Sequence, residues 1–210
     1  MEHAKTFSSD VAFTDTVKAI QRRKGSRSAY ARMEAGGSWS RVITPELKEE
    51  IEAQTSVFLA TANLDGQPYI QHRGGPAGFL RVLDGQTIGF ADFAGNRQYI
   101  TQGNLSENPK VHLFLIDYAH RRRIKLWGMA RVVEGDDDLL RRLMPPGYAA
   151  RPEQVVLFTV TAWDVNCPQH IPMRLEAADV QAALDIRDQR IAALENEVAQ
   201  LRAMAPGVSG

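Results

Sequence analysis

The sequence predicts a mainly β protein of the α+β class, in which six or seven short strands form a small closed or nearly closed barrel with flanking helices and a long C-terminal helix. Three observations carry that expectation. Short apolar or alternating runs recur between hairpin signals from Val57 to Trp163. Only brief helical patterns interrupt them. Beyond Arg174 the apolar residues switch to a 4-3 spacing, the period of a helix with a narrow seam.

Taken in order, residues 1–13 are polar and read as mobile. Asp15 to Lys24 is helical in pattern, with Val17 and Ile20 three apart and Asp15 as N-cap. A basic, serine-containing run from Arg22 to Arg32 follows and ends at Gly36-Gly37. Thr44-Pro45 opens a short helix, Thr as N-cap and Pro in the first turn, whose buried stripe is Leu47 and Ile51. Residues 57–62 (VFLATA) read as a buried strand, Asp65-Gly66 as a hairpin turn and Pro68 to Arg73 as the return strand before Gly74-Gly75-Pro76. Residues 79–83 alternate, Asp84-Gly85 turns the chain, and Thr87 to Ala91 returns it. Gly95-Asn96 is expected to start a helix over Arg97 to Gln102, and Glu107-Asn108-Pro109 reads as another turn. Residues 110–118 and 123–133 read as two long strands, Asp136 to Met144 as a helix with acids at its positive end, and 155–163 as the last strand. In the C-terminal segment Ala177, Val180, Leu184, Ile191, Leu194, Val198 and Leu201 mark the seam, broken by Arg187. A helix of this kind pairs with a second copy, recruits another partner or lies back on the barrel as a cap.

Composition narrows the function. Lys+Arg and Asp+Glu are 25 each, so net charge is zero, which argues against a general nucleic-acid or membrane-surface binder. The single cysteine, Cys167, excludes an intramolecular disulfide and a cysteine-based zinc site, and fits a reducing cytoplasm. No run of about 20 apolar residues exists to span a membrane. The five histidines lack close metal-ligand spacing, and the Gly-rich nucleotide loops, the serine-hydrolase elbow and the zinc-protease motif are missing.

Four segments remain. Gln71-His72-Arg73 ends a strand ahead of two glycines, a setting for an anion held close to the backbone, or else a solvated strand end. Asp92-Phe93-Ala94-Gly95-Asn96-Arg97-Gln98 combines a cation with a helix start, a phosphate site, or else an ordinary N-cap. In the third, Arg121, Arg123, Lys125 and Trp127 share one strand face, which faces an anion or solvent. Trp163 to His170 packs aromatic, amide, thiol and imidazole groups after a strand; Cys167 there is a nucleophile or an inert small hydrophobe.

Together these segments resemble the pyridoxamine 5′-phosphate oxidase-like family of FMN-binding split-barrel proteins. The resemblance runs from about Ile43 to Arg174 and rests on ATANLDGQPY, FADFAGNRQYITQGNLSENPKVHLFL, RIKLWGMARVV and Trp163, in that order. It implies a split barrel at 43–174; the helical patterns put an arm at 1–42 before it and an added amphipathic helix at 175–210 after it. It implies a cytoplasmic homodimer with FMN at the interface, no metal, and a small-molecule substrate. For the cofactor it points to Gln71, His72 and Arg73, to Ala91 and Asp92, to Asn96, Arg97 and Gln98, and to Arg123 and Trp163; more weakly, it points to His170 and Arg174 for the substrate. Gln98 stands where the family usually has lysine. The C-terminal Arg-x-His-Asp-Arg type segment of the true oxidase is replaced by NCPQHIPMR, so a relative with another substrate is expected. Because hydride chemistry belongs to a flavin, no acid–base triad is required, and a cation such as Arg123 near the ring would stabilise the reduced form. The function implied is an FMN-dependent oxidoreductase; the alternatives are a flavin or haem carrier or sensor, and a reductase using the deazaflavin F420.

Overall fold

A computed structural model of the protein describes residues 6–166 and 168–204. Cys167 lies outside the described residues. The chain divides into two compact units, Met1–Asp117 with Arg122–Gln169, and Tyr118–Arg121 with His170–Gly210.

The first unit begins with a 3-10 turn at Ser8–Val11 and two helices, α1 (Asp15–Lys24) and α2 (Arg27–Ala35). The described part of the expected mobile start is therefore ordered. Ser9 is fully buried, and the Ser9 and Ser38 hydroxyls hydrogen-bond at 3.1 Å. Thr14, one residue earlier than expected, caps α1 by accepting from the Val17 N–H. The basic run is helical because Arg27 forms an ion pair with Glu34, a carboxylate only 3% exposed, and donates to Gln21 at 2.8 Å. α3 (Pro45–Glu52) follows, with Thr44 as its N-cap.

Seven strands form one antiparallel sheet: β1 (Ser56–Ala62), β2 (Pro68–Gly74), β3 (Arg81–Val82), β4 (Thr87–Phe93), β5 (Lys110–Asp117), β6 (Arg122–Val133) and β7 (Pro152–Asn166). Their order is β2-β1-β5-β6-β7-β4-β3. This is the predicted split barrel, with β2 and β3 at its two unpaired edges. Strict alternation places Val57 and Leu59, Leu113 and Leu115, and Ile124 and Leu126 inside. Phe90, Phe158 and Val160 meet them, and Leu47 and Ile51 of α3 enter the same core. The segment expected to alternate at 79–83 pairs only at Arg81 and Val82, because Phe79 and Leu80 are both buried as core plugs.

The split is stitched rather than left open. The Gly78 N–H donates to the Glu52 carbonyl at 2.6 Å and the Val82 N–H to the Glu52 carboxylate at 3.1 Å. α3 thus satisfies edge groups that would otherwise invite another strand. Two further helices flank the barrel, α4 (Ile100–Glu107) and α5 (Asp137–Leu143), the latter capped by Asp136. In the second unit α6 spans Ala177–Met204 and buries none of its residues. Among the described residues no helix is long and apolar enough to cross a membrane.

The register of β6 against β7 slips between Trp127 and Gly128. A Cβ at Gly128 would lie 2.2 Å from the Thr159 carbonyl oxygen, so only glycine fits the bulge. Gly128→Ala is expected to destabilise the protein by at least about 2 kcal/mol, read as a lower urea midpoint with an unchanged slope.

On the outer face Trp39 stacks on Trp127 at 4.6 Å, and His112 meets the same ring edge-on at 4.9 Å. Burial, and then the nearby Lys125 charge, push the His112 pKa down from 6.5 to about 4. The unfolded chain therefore takes up a proton that the folded chain refuses. This contribution to stability is complete above about pH 6.5 and is lost as pH falls toward 4. His112→Gln is expected to flatten the stability-against-pH curve in that window, measured by urea melts across it.

Candidate functional site

β2 alternates, and its inward face carries Tyr69, Gln71 and Arg73 while Ile70 and His72 face out. Arg73 crosses the split to Asp92 on β4, Nη1 to Oδ1 at 2.9 Å and Nη2 to Oδ2 at 3.4 Å. Gln154, which pairs with Asp92 in the sheet, donates to its Oδ2 at 3.0 Å. The side chains of Arg73 and Asp92 are 16% and 10% exposed, so this ion pair is strongly sheltered. The Arg73 Nε is buried and lacks a hydrogen-bond partner among the described residues.

The chain then turns through Gly95–Tyr99. Asn96 accepts from the Gln98 N–H at 3.3 Å, and both Arg97 (φ 59°) and Tyr99 (φ 52°) adopt left-handed backbone. Those two residues delay the helix expected at Arg97, which begins instead at Ile100. No side chain caps it, so its first-turn N–H groups are available to an anion. α4 is anchored at two points: Asn104 donates to the Thr61 hydroxyl at 2.9 Å, and the Thr101 hydroxyl donates to Gln71 at 2.8 Å. Tyr99 donates to Glu153 at 2.8 Å.

These groups line one cleft, open at its mouth, in which Gln71, Arg73, Asp92, Asn96, Arg97 and Gln98 meet. The sequence had indicated all six. Tyr69, Glu153 and Gln154 also line it and were missed. Tyr69 was within reach of period-2 reasoning, since it shares the strand face of Gln71 and Arg73. The β7 residues arrive only through sheet register, for which the local sequence has no signal.

The other indicated residues are outside this cleft. His72 hydrogen-bonds Ser56 at 2.8 Å and packs edge-on against Phe58, and Ala91 is core; both line an adjoining pocket that shares Arg73 and Asp92 with the cleft. Val132 reaches the cleft, whereas Arg123 lies nine residues back along β6, about 30 Å at strand rise. Trp163 pairs with Leu126 toward that same far end and donates its indole N–H to the Val42 carbonyl at 2.9 Å. In the second unit His170 is exposed, and the Arg174 guanidinium lies 4.5 Å from the Tyr118 ring centre. Among the described residues, no three His, Cys, Asp or Glu side chains gather as a metal site.

The cleft has the donor set of an anion site. A buried arginine has an N–H to spare, a second arginine stands on a loop, and an uncapped helix start adds backbone N–H groups. Residues 43–167 match the family model described as pyridoxamine 5′-phosphate oxidase, and the chain belongs to that family. Several solved structures are similar to the chain. A variant of HupZ from Group A Streptococcus is 21% identical, covering 59% of this chain and 99% of its own, with a TM-score of 0.48. A putative pyridoxamine 5′-phosphate oxidase from Lactobacillus delbrueckii is 23% identical over 60% of this chain and 95% of its own, TM-score 0.45. An FMN-binding protein from Syntrophomonas wolfei is 16% identical over 70% and 97%, TM-score 0.44. No curated protein matches the chain.

Removing one member of a buried ion pair strands the other. Arg73→Gln is expected to cost roughly 3 kcal/mol in urea unfolding, and Asp92→Asn in that background to restore part of it. Additive losses in the double variant would show the two groups to be energetically independent.

Proposed function

We propose that the protein binds FMN in this cleft and serves as a flavin-dependent oxidoreductase for a small-molecule substrate in the cytoplasm. The observation that carries the reading is the meeting of Arg73, Arg97 and the uncapped start of α4 around one cleft. The FMN phosphate carries about two negative charges, which suits two guanidiniums and helix N–H groups. Arg73 offers its spare Nε–H without leaving Asp92, so the ion pair positions the donor before any ligand arrives. Asp92, Gln71 and Gln98 supply acceptors and donors for a hydroxyl-bearing chain. The bound flavin would supply the hydride chemistry, and the protein's part is binding, orientation and exclusion of water.

Arg123 and Trp163 enter the same reading through dimerisation. They lie too far along β6 and β7 to reach the cleft of their own chain. A homodimer with the flavin at its interface would bring them from the second copy.

The test is the absorption spectrum of the purified protein, with mass spectrometry of whatever heat releases. Flavin bands and the mass of FMN are expected. A colourless protein that ignores added FMN overturns the reading, as does a Soret band or the mass of F420. Arg97 separates binding from folding, because glycine is more at ease than arginine at φ 59°. Arg97→Gly is expected to leave the melting temperature unchanged or higher while weakening FMN binding at least tenfold, followed by flavin fluorescence quenching.

A further inference from the structure

α6 is a helix of 28 residues, four heptads long, without a buried residue of its own. Its apolar side chains form a stripe: Ile191 is 51% exposed, Leu194 41% and Leu201 60%. Isolated helices hold their shape in water chiefly through an apolar face packed on something else. We propose that α6 pairs with α6 of a second copy of this chain as a parallel, in-register two-stranded coiled coil.

The heptad assignment decides the partner. With Leu184, Ile191 and Val198 at a, the d positions are Val180, Arg187, Leu194 and Leu201. Over the last two heptads, β-branched residues at a and leucine at d are the combination that favours parallel dimers. The flanking charges agree. Arg190 at g faces Glu195 at e of the other copy, and Glu197 at g faces Arg202 at e, both opposite in sign. By symmetry each contact occurs twice. Antiparallel pairing over the same seam would set Arg190 against Glu197 but also Asp188 against Glu195, two like charges, so only the parallel form makes both kinds of flanking pair opposite in sign. Arg187 is the one polar seam residue. In parallel packing the hole that receives a d side chain is walled by the neighbouring e residue, here Asp188 of the other copy, so each guanidinium meets a carboxylate. A polar layer of this kind costs stability and fixes register, which a seam of uniform leucine would leave free to slip. The pairing rests on α6 alone and stands or falls independently of the flavin reading.

The test uses the full chain carrying Cys167→Ser. Leu201→Cys in that background puts two thiols across one d layer, within reach of a disulfide only if the helices are parallel and in register. Ile186→Cys, on the outer face, is the control. Under mild oxidation the Leu201→Cys chain is expected to convert almost wholly to a covalent dimer and the Ile186→Cys chain to stay monomeric on a non-reducing gel. Adding Glu195→Arg should slow the cross-link at least tenfold at low salt, and adding Arg190→Glu to that variant should restore it. Failure of Leu201→Cys to cross-link overturns the proposal, as does equal cross-linking of the control. Cross-linking only in a mixture of Leu184→Cys and Leu201→Cys chains would show antiparallel pairing and overturn it as well.

Discussion

The ion pair between Arg73 and Asp92 is the contact on which the cleft depends. Backbone pairing stops at the split, because β2 and β3 are the two edges of the sheet. A guanidinium from β2 and a carboxylate from β4 cross that gap at 2.9 Å, with Gln154 as the second donor to the carboxylate. Sheltered charges of this kind are costly to place and more costly to break. The geometry of the cleft wall therefore follows from an electrostatic constraint that no strand ladder supplies.

The opposite wall is held by small polar contacts. Thr101 meets Gln71, and Asn104 meets Thr61, so α4 is tied to β2 at its first turn and to β1 at its middle. The loop before it can then carry two non-glycine residues in left-handed backbone, a conformation that costs free energy and persists where its surroundings enforce it. That loop brings Arg97 and the helix start to the same opening as Arg73. Side chains set the frame, and backbone groups complete the donor set.

The two units of the chain obey different physics. The barrel is a folding core of alternating strands plugged by α3, in which Phe79, Phe90 and Phe158 are almost fully buried. The C-terminal helix has strong helix formers and complementary charges, but buries nothing on its own. For the barrel, the chain itself covers the apolar core. For the helix it is a matter of what covers Leu194 and Leu201.

Alternation in VFLATA and RIKLW, the turns at Asp65-Gly66 and Asp84-Gly85, and the Thr44-Pro45 cap are local signals, and the structure follows them because each depends on neighbours a few residues away. The same holds for the six cleft residues on β2, β4 and the loop after it, where motif chemistry lies in contiguous segments. Local reading failed where distant groups intervene. Phe79 and Leu80 leave the strand pattern to fill the core, and Arg97 and Tyr99 postpone α4. Gln154 and Glu153 reach the cleft only because β7 lies beside β4, and Arg123 and Trp163 are carried away from it because β6 and β7 are long. The sequence by itself determined the strands, the turns and the donor chemistry, since these are properties of short stretches. Which donors share one cleft was decided by sheet order and register, a property of the whole fold.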